Sequence, residues 1–503
     1  MAPPFNITFG VELELIAAWP KPAMGDMDEY DELEPFSTPS QAIYYGLTGA
    51  GVPVTGHEPG YALLDRRTQA FAHWAVKEDV MLLSAAESAA LPEQYLVESV
   101  ELASRKFDLP RDDWRGEIAK VLGVLRNLED SGCRLLTNKS TGFHVHVASS
   151  AQGVPLRTAK NVMLLATAFE RCFDELHAAN RIAYPKRFRP SCTSIGDFYH
   201  TPLSWWHLNN GKCESGDAML YDWLASIEAQ QTFADLNAIC SVPYQTAMEK
   251  GIFIRPTYGH SSSYNLDNLY AFAPGGRVTG TLEFRQHAGT LDFLEIMNWV
   301  LLTTSMVRYS TQASAPDFLA LCAQGIDRDF GLRDILSAME CPADTVNHFA
   351  PEEEGESAIG FLGTGTAGVA VEDLDALLAH NDAEQSAHLS AQTREAVVAE
   401  KDYGFEPEVN VVHVPVGAIE RYYHDAWTEL RGAYPAVDLR DSACGTSAVC
   451  WRVWQRLARD YKGEVGSAAE AAKEWWAAQC GLPRVQIEAV PDSMPGFDLM
   501  RDW

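Results

Sequence analysis

In three separate stretches of the chain, ionisable residues fall two apart with apolar residues between them. Glu12 and Glu14 sit in F-G-V-E-L-E-L, His144 and His146 in F-H-V-H-V, and Glu283, Arg285 and His287 in T-L-E-F-R-Q-H. Alternation at period two marks a β-strand with one buried face. Val11, Leu13 and Leu15, then Phe143, Val145 and Val147, then Leu282 and Phe284, should therefore enter a core. The opposite faces carry acids, imidazoles and a guanidinium instead of the Thr, Lys, Ser and Gln of an ordinary wet sheet. Taken alone, any one of these strands also reads as a solvated face. Three together point to one shared charged site made of metal- and phosphate-binding groups.

Two more segments, His73–Met81 and Tyr95–Ala103, read as strands, and Val97, Ser99, Glu101 and Ala103 share a face of the second. Glu101 thereby joins the acids of the sheet. Helical spacing links Trp114, Ile118, Val121, Leu122, Leu125 and Leu128, between a cap at Asp112–Asp113 and a stop at Gly132. Val162, Leu165, Ala166, Phe169, Phe173 and Leu176 predict a second long helix. Asp292 followed by Glu295 predicts the capped start of a third, carrying Ile296, Val300, Leu301 and Val307. This mixed order of strands and helices argues α+β with an antiparallel or mixed sheet. Beyond about residue 340 the composition turns to loop and Ala-rich helix, including Ser442–Tyr461 and Gly466–Gln479.

The net charge of −30 repels nucleic acid and anionic membranes, so neither is an expected partner. A phosphate-bearing substrate would need divalent cations or local arginines to approach. No apolar run is long enough to span a bilayer, and Met-Ala-Pro-Pro-Phe-Asn lacks the features of a secretory signal, so a cytoplasmic protein is expected. The ten cysteines form no C-x-x-C pair and read as reduced thiols. Asp26–Glu34 reads as an exposed acidic loop. Gly363, Gly365 and Gly368 spell G-x-G-x-x-G without a convincing strand before them, which favours a loop. There is no G-x-x-x-x-G-K-[ST] loop and no G-x-S-x-G elbow, which argues against a P-loop nucleotidase and a serine hydrolase. His144-x-His146 lacks the following Glu of a cupin. Glu283-x-Arg285 admits a structural salt bridge, or a division of labour in which acids bind Mg²⁺ while Arg285 grips a phosphate oxygen.

Taken in order, F-G-V-E-L-E-L, W-A-V-K-E-D with S-V-E-L-A-S, T-G-F-H-V-H-V, Y-N-L and T-L-E-F-R-Q-H-A-G-T-L-D resemble the amidoligases. These are relatives of the glutamine synthetase and glutamate–cysteine ligase group. The resemblance covers about residues 5–310. It implies a glutamine synthetase-like curved antiparallel sheet flanked by helices, within a catalytic domain over 1–335. A mostly helical C-terminal region over 336–503 is expected to pack on it. It further implies ATP as cosubstrate, two or three Mg²⁺ (Mn²⁺ as the alternative), and amide formation between small-molecule or peptide carboxylates and amines through an acyl phosphate. Carried over by position, Glu12, Glu14, Glu101, Glu283 and His146 are the implied metal ligands, and Arg285, Glu283 and His146 the catalytic groups. Asn265, His144, His287 and Arg285 are the implied ATP or substrate contacts. A phosphotransferase on the same fold and an inactive binding scaffold are the alternatives. The stretch Pro20–His73 and the ending of W-A-V-K-E-D-V-M depart from the family pattern.

Overall fold

Among the described residues, nine strands pair into one open, mostly antiparallel sheet, and the long strand β1 (Thr8–Pro20) runs through its middle. The structure, a computed structural model, describes residues 6–20, 38–55, 71–78, 95–137, 141–177, 181, 216–240, 262–270, 278–327, 329–351, 416–433 and 443–460. The other strands are β2 (Val54–Thr55), β3 (Trp74–Glu78), β4 (Tyr95–Ala103), β5 (Phe107–Asp108), β6 (Arg134–Leu136), β7 (Phe143–Ala148), β8 (Tyr264–Asn265) and β9 (Leu282–Phe284). They lie in the order β2-β3-β4-β1-β7-β9-β8, with β5 and β6 pairing to the two ends of β1. The β2–β3 pairing is parallel.

The helices are α1 (Pro39–Gly49), α2 (Trp114–Asp130), α3 (Leu156–Ala168), α4 (Glu170–Asp174), α5 (Gly216–Glu228), α6 (Phe233–Cys240), α7 (Phe293–Gln312), α8 (Ala315–Ala323), α9 (Leu332–Ala338), α10 (Ala343–Phe349), α11 (Val416–Ala433) and α12 (Ala443–Asp460). The fold is thus mixed α+β. Phe9, Val11, Leu13 and Leu15 of β1 bury their side chains with Phe143, Val145 and Val147 of β7 and Leu282 and Phe284 of β9. Ile118 and Val121 of α2, Val162 and Leu165 of α3, and Ile296 and Val300 of α7 close the same core. Each such side chain removed from water contributes about 1.5–3 kcal/mol. Burying this face leaves the alternate residues of every strand on the other.

Local signals bound α2 and start α7. Asp113 accepts from Gly116 N at 3.1 Å to start α2, and Gly132, at φ +99°, follows its end. Asp292 accepts from Leu294 N and Glu295 N to start α7, but the Glu295 carboxylate faces His287 and His348 instead of closing a capping box. The second long helix expected from sequence is interrupted at Phe169. A turn passes so close that a Cβ on Gly325 would lie 2.4 Å from the Ala168 carbonyl oxygen. Asp26–Glu34, Gly363–Gly368 and Gly466–Gln479 lie outside the described residues. Among the described residues, no helix is long and apolar enough to cross a membrane.

Helices α11 and α12 join the same core, and Trp454 of α12 stacks on Tyr221 of α5 with ring centroids 6.0 Å apart. A polar cluster ties this seam together. The Arg157 guanidinium pairs with both oxygens of the buried Glu228 carboxylate, and Lys160 Nζ donates to Glu228 O at 2.9 Å and to Ser447 Oγ at 3.0 Å. Removing one partner of a buried pair leaves the other charge uncompensated, at about 3–5 kcal/mol. Glu228→Ala should therefore lower the unfolding free energy in urea by about that amount. A loss under 1 kcal/mol would mean the cluster is not holding the seam.

Candidate active site on the polar sheet face

Strand register decides which polar groups meet. Cross-strand partners share a face, so Gly10, His146, Glu283 and Asn265 form one row across β1, β7, β9 and β8. Ala75, Ala103, Glu12 and His144 form the next row, and Lys77, Glu101 and Glu14 the third. Glu12, Glu14, His144, His146 and Glu283 are thereby gathered at the junction of β1, β7 and β9.

His144 Nδ1 lies 3.5 Å from Glu12 Oε2, 3.5 Å from Glu14 Oε1 and 3.7 Å from Glu283 Oε1. His146 Nε2 stands 3.1 Å from Glu12 Oε1 and 3.8 Å from Glu283 Oε1. The Arg285 guanidinium pairs with Glu283 Oε1, while Asn265 Nδ2 donates to Glu283 Oε2 at 2.7 Å. Glu14 Oε2 accepts from Gly142 N at 2.5 Å. Gly142 occupies the place of a side chain in the third row. A Cβ there would lie 2.4 Å from His144 Nε2 and 3.2 Å from Glu14 Oε2, so only glycine fits between them.

The cluster is electrostatically uneven. Burial works against ionisation of Glu12, but His146 and His144 hold its carboxyl well below the usual range. Burial also opposes ionisation of Glu283, and Arg285 and His146 bring it down to about 2. His144 is pushed down to about 4 by burial and by Arg285, so it is neutral at pH 7. Burial pulls His146 down as well, yet Glu12 and Glu283 raise it to about 9. A neutral imidazole among carboxylates is the form that binds metal.

The donor set suits a hard divalent cation. Ligand atoms of Glu12, His144 and Glu283 all lie within 4.8 Å of one another. Separations of 3.5–3.7 Å around His144 Nδ1 are long for hydrogen bonds. They approach the roughly 3 Å edges of a shell of ligands around one Mg²⁺. Among the described residues, buried His144 Nε2 has no hydrogen-bond partner, whereas a ligating imidazole normally donates its other N–H. The carboxylate oxygens of Glu12, Glu14 and Glu283 are therefore the principal donors. Glu12 and His146 also line a cleft of about 320 Å³ that runs along the polar face toward β3 and β4.

Of the other residues expected here, some already have partners on the face and one lies off it. Glu101 lies on the polar face beside Glu14 in the third row, where it already pairs with Lys77 Nζ at 2.6 Å. Glu283 has Arg285 as a partner and Glu12 has His146. Asn265 supports Glu283 with its Nδ2, and its Oδ1 accepts from Asp267 N at 2.9 Å. His287 is on the opposite side, packed edge-on against Phe143 and 3.5 Å from Glu295 Oε2. A β-bulge is the cause. Val145 pairs with Phe284, yet Gly142, three residues on, pairs with Ala288, four residues on. One extra residue reverses the alternation and aims His287 into the helical layer.

Residues 6–307 match the family described as "putative amidoligase enzyme". The chain belongs to the amidoligase family. No curated protein matches it. All of the clustered residues fall within the matched amidoligase segment, and α11 and α12 fall beyond it. An enzyme of the ligase type is what this membership supports.

Two outcomes test this geometry. Gly142→Ala should fold but displace His144 and Glu14, weakening divalent-cation binding at least tenfold by calorimetry; unchanged binding would place the cation elsewhere. On the helical side, burial opposes ionisation of Glu295, but the His287 and His348 imidazoles, 3.5 and 3.2 Å from its carboxylate oxygens, depress it to about 2. A depressed carboxyl stabilises the fold above its unfolded pKa, near 4.5, and loses that contribution as pH falls toward 2. Glu295→Gln should therefore flatten the decline in stability over that window. An unchanged acid limb would remove the ion pairs from the account.

Proposed function

We propose that this amidoligase is an ATP- and Mg²⁺-dependent carboxylate–amine ligase that forms an amide through an acyl phosphate. The convergence of Glu12, Glu14 and Glu283 on one sheet face, beside Arg285 and a cleft, carries this reading. With it we propose a glutamine synthetase-like catalytic domain over residues 1–335, extended by a helical region over 336–503. The expected partners are a small-molecule or peptide carboxylate and an amine.

The chemistry needs little from the protein beyond positioning and charge neutralisation. A substrate carboxylate oxygen attacks the γ-phosphorus of ATP, and ADP leaves. The amine nitrogen then attacks the acyl carbon, phosphate leaves, and the amine gives up a proton. Bound Mg²⁺ would supply charge neutralisation for the nucleotide phosphates. Glu12, Glu14 and Glu283 would hold it, with neutral His144 beside them. Arg285 is placed to exchange part of its pairing with Glu283 for an oxygen of the transferring phosphoryl group. Protonated His146, next to Glu12, would add a second cation on the cleft wall. Asn265 keeps Glu283 oriented while this exchange takes place.

A guanidinium that acts on the transferring group matters more in the transition state than in the ground state. Arg285→Lys keeps the charge but loses the planar fork. It should reduce turnover roughly 10²-fold while nucleotide affinity changes little. Near-normal turnover would reduce Arg285 to a structural partner of Glu283. Product analysis with ATP, amino acids and polyamines should yield ADP, phosphate and an amide in equal amounts. A phosphorylated acceptor without amide would reassign the protein as a phosphotransferase.

A further inference from the structure

The cleft changes character at the end away from the acids. Its wall there is formed by Phe71, His73, Lys77 and Lys106. Lys106 is exposed, and among the described residues no ion pair involves its ammonium. His73 Nδ1 is buried and has no hydrogen-bond partner among the described residues. Lys77 meets Glu101, yet its side chain stays 51% exposed. In a chain of net charge −30, the Lys106 ammonium and the His73 imidazole on one stretch of cleft wall give an anion a place to sit.

The floor between the two ends carries almost no side chain. Gly10, Ala75, Ala103 and Ala148 line it, and Ala75 and Ala103 share a cross-strand row with Glu12. With neighbouring strands ~4.8 Å apart, the backbones of β3 and β1 stand roughly 10 Å from each other. A lysine stem shortens that gap, so a spacer of a few carbons joins the cationic end to the acid cluster.

We propose that Lys106 and His73 form an anion subsite for a second acidic group of the acid substrate. The substrate class is then a short-chain acid with two anionic ends, one activated beside Glu12 and Glu283 and the other held by Lys106 and His73. The assignment of the first end rests on the ligase reading; binding of the second does not. Charge-assisted contacts of this kind in a partly desolvated cleft favour the doubly charged ligand over its singly charged analogue.

Calorimetry on the full chain decides this, using succinate, glutarate and adipate, the chain-matched monocarboxylates, and phosphonocarboxylates of equal length. The best dicarboxylate or phosphonocarboxylate should bind at least tenfold more tightly than its monocarboxylate match. Which of the two wins identifies the second group as carboxylate or phosphate-like. Lys106→Met and His73→Phe should abolish the preference while leaving monocarboxylate affinity unchanged. Equal affinity for singly and doubly charged acids, a preference that survives both substitutions, or no binding of any acid would overturn the subsite. Parallel titration with Mg²⁺–ATP separates the two claims. A dicarboxylate preference without nucleotide binding keeps the subsite and sinks the ligase reading, and the reverse pattern does the opposite.

Discussion

Glu283 is 2% exposed and lies beside Glu12 and Glu14, and buried carboxylates can stand together only where something balances them. Here Arg285 and protonated His146 provide part of that balance, and Asn265 fixes the Glu283 carboxylate between them. Carboxylates gathered beside Arg285 and His146 suit a divalent ion carrying a phosphate. The helical layer behind the sheet, the glycine at 142 and the bulge after Phe284 all serve to hold this arrangement.

Strand alternation made the core side legible in the sequence, because burial of Val11, Val145 and Phe284 dictates what their neighbours face. Glu12, Glu14, His144, His146 and Glu283 accordingly met where period-two reasoning placed them. Alternation fails wherever a strand gains a residue. The bulge between Phe284 and Ala288 has no signature in T-L-E-F-R-Q-H-A, so His287 was assigned to the wrong face. Register was the other hidden quantity. Glu101 shares the polar face, but only the pairing of β3 with β4 reveals that Lys77 neutralises it. The need for glycine at 142 is hidden in the same way, because it depends on the close approach of His144 Nε2 and Glu14 Oε2.

The family match ends at residue 307, yet the fold does not stop there. Ser447 of α12 completes the coordination of the buried Lys160 ammonium, and Trp454 covers Tyr221. Helix α3, which carries Arg157 and Lys160, packs in the same core as β7 and α7. Helix α12 therefore supports the layer on which the histidine strand rests, although it contributes nothing to the polar face itself. Ala-rich composition marked the α12 segment as helix, but its docking site depended on a long-range polar contact that composition does not encode.

The claim at the centre of this account is that Glu12 and Glu283 bind a divalent cation together with nucleotide phosphate. Calorimetric titration of Mg²⁺, in the presence and absence of a non-hydrolysable ATP analogue, tests it directly. The account predicts that the analogue tightens Mg²⁺ binding at least tenfold, by supplying further oxygen ligands, and that Glu12→Gln and Glu283→Gln each weaken the joint binding comparably. Independent binding of metal and analogue, or joint binding indifferent to both substitutions, would contradict it.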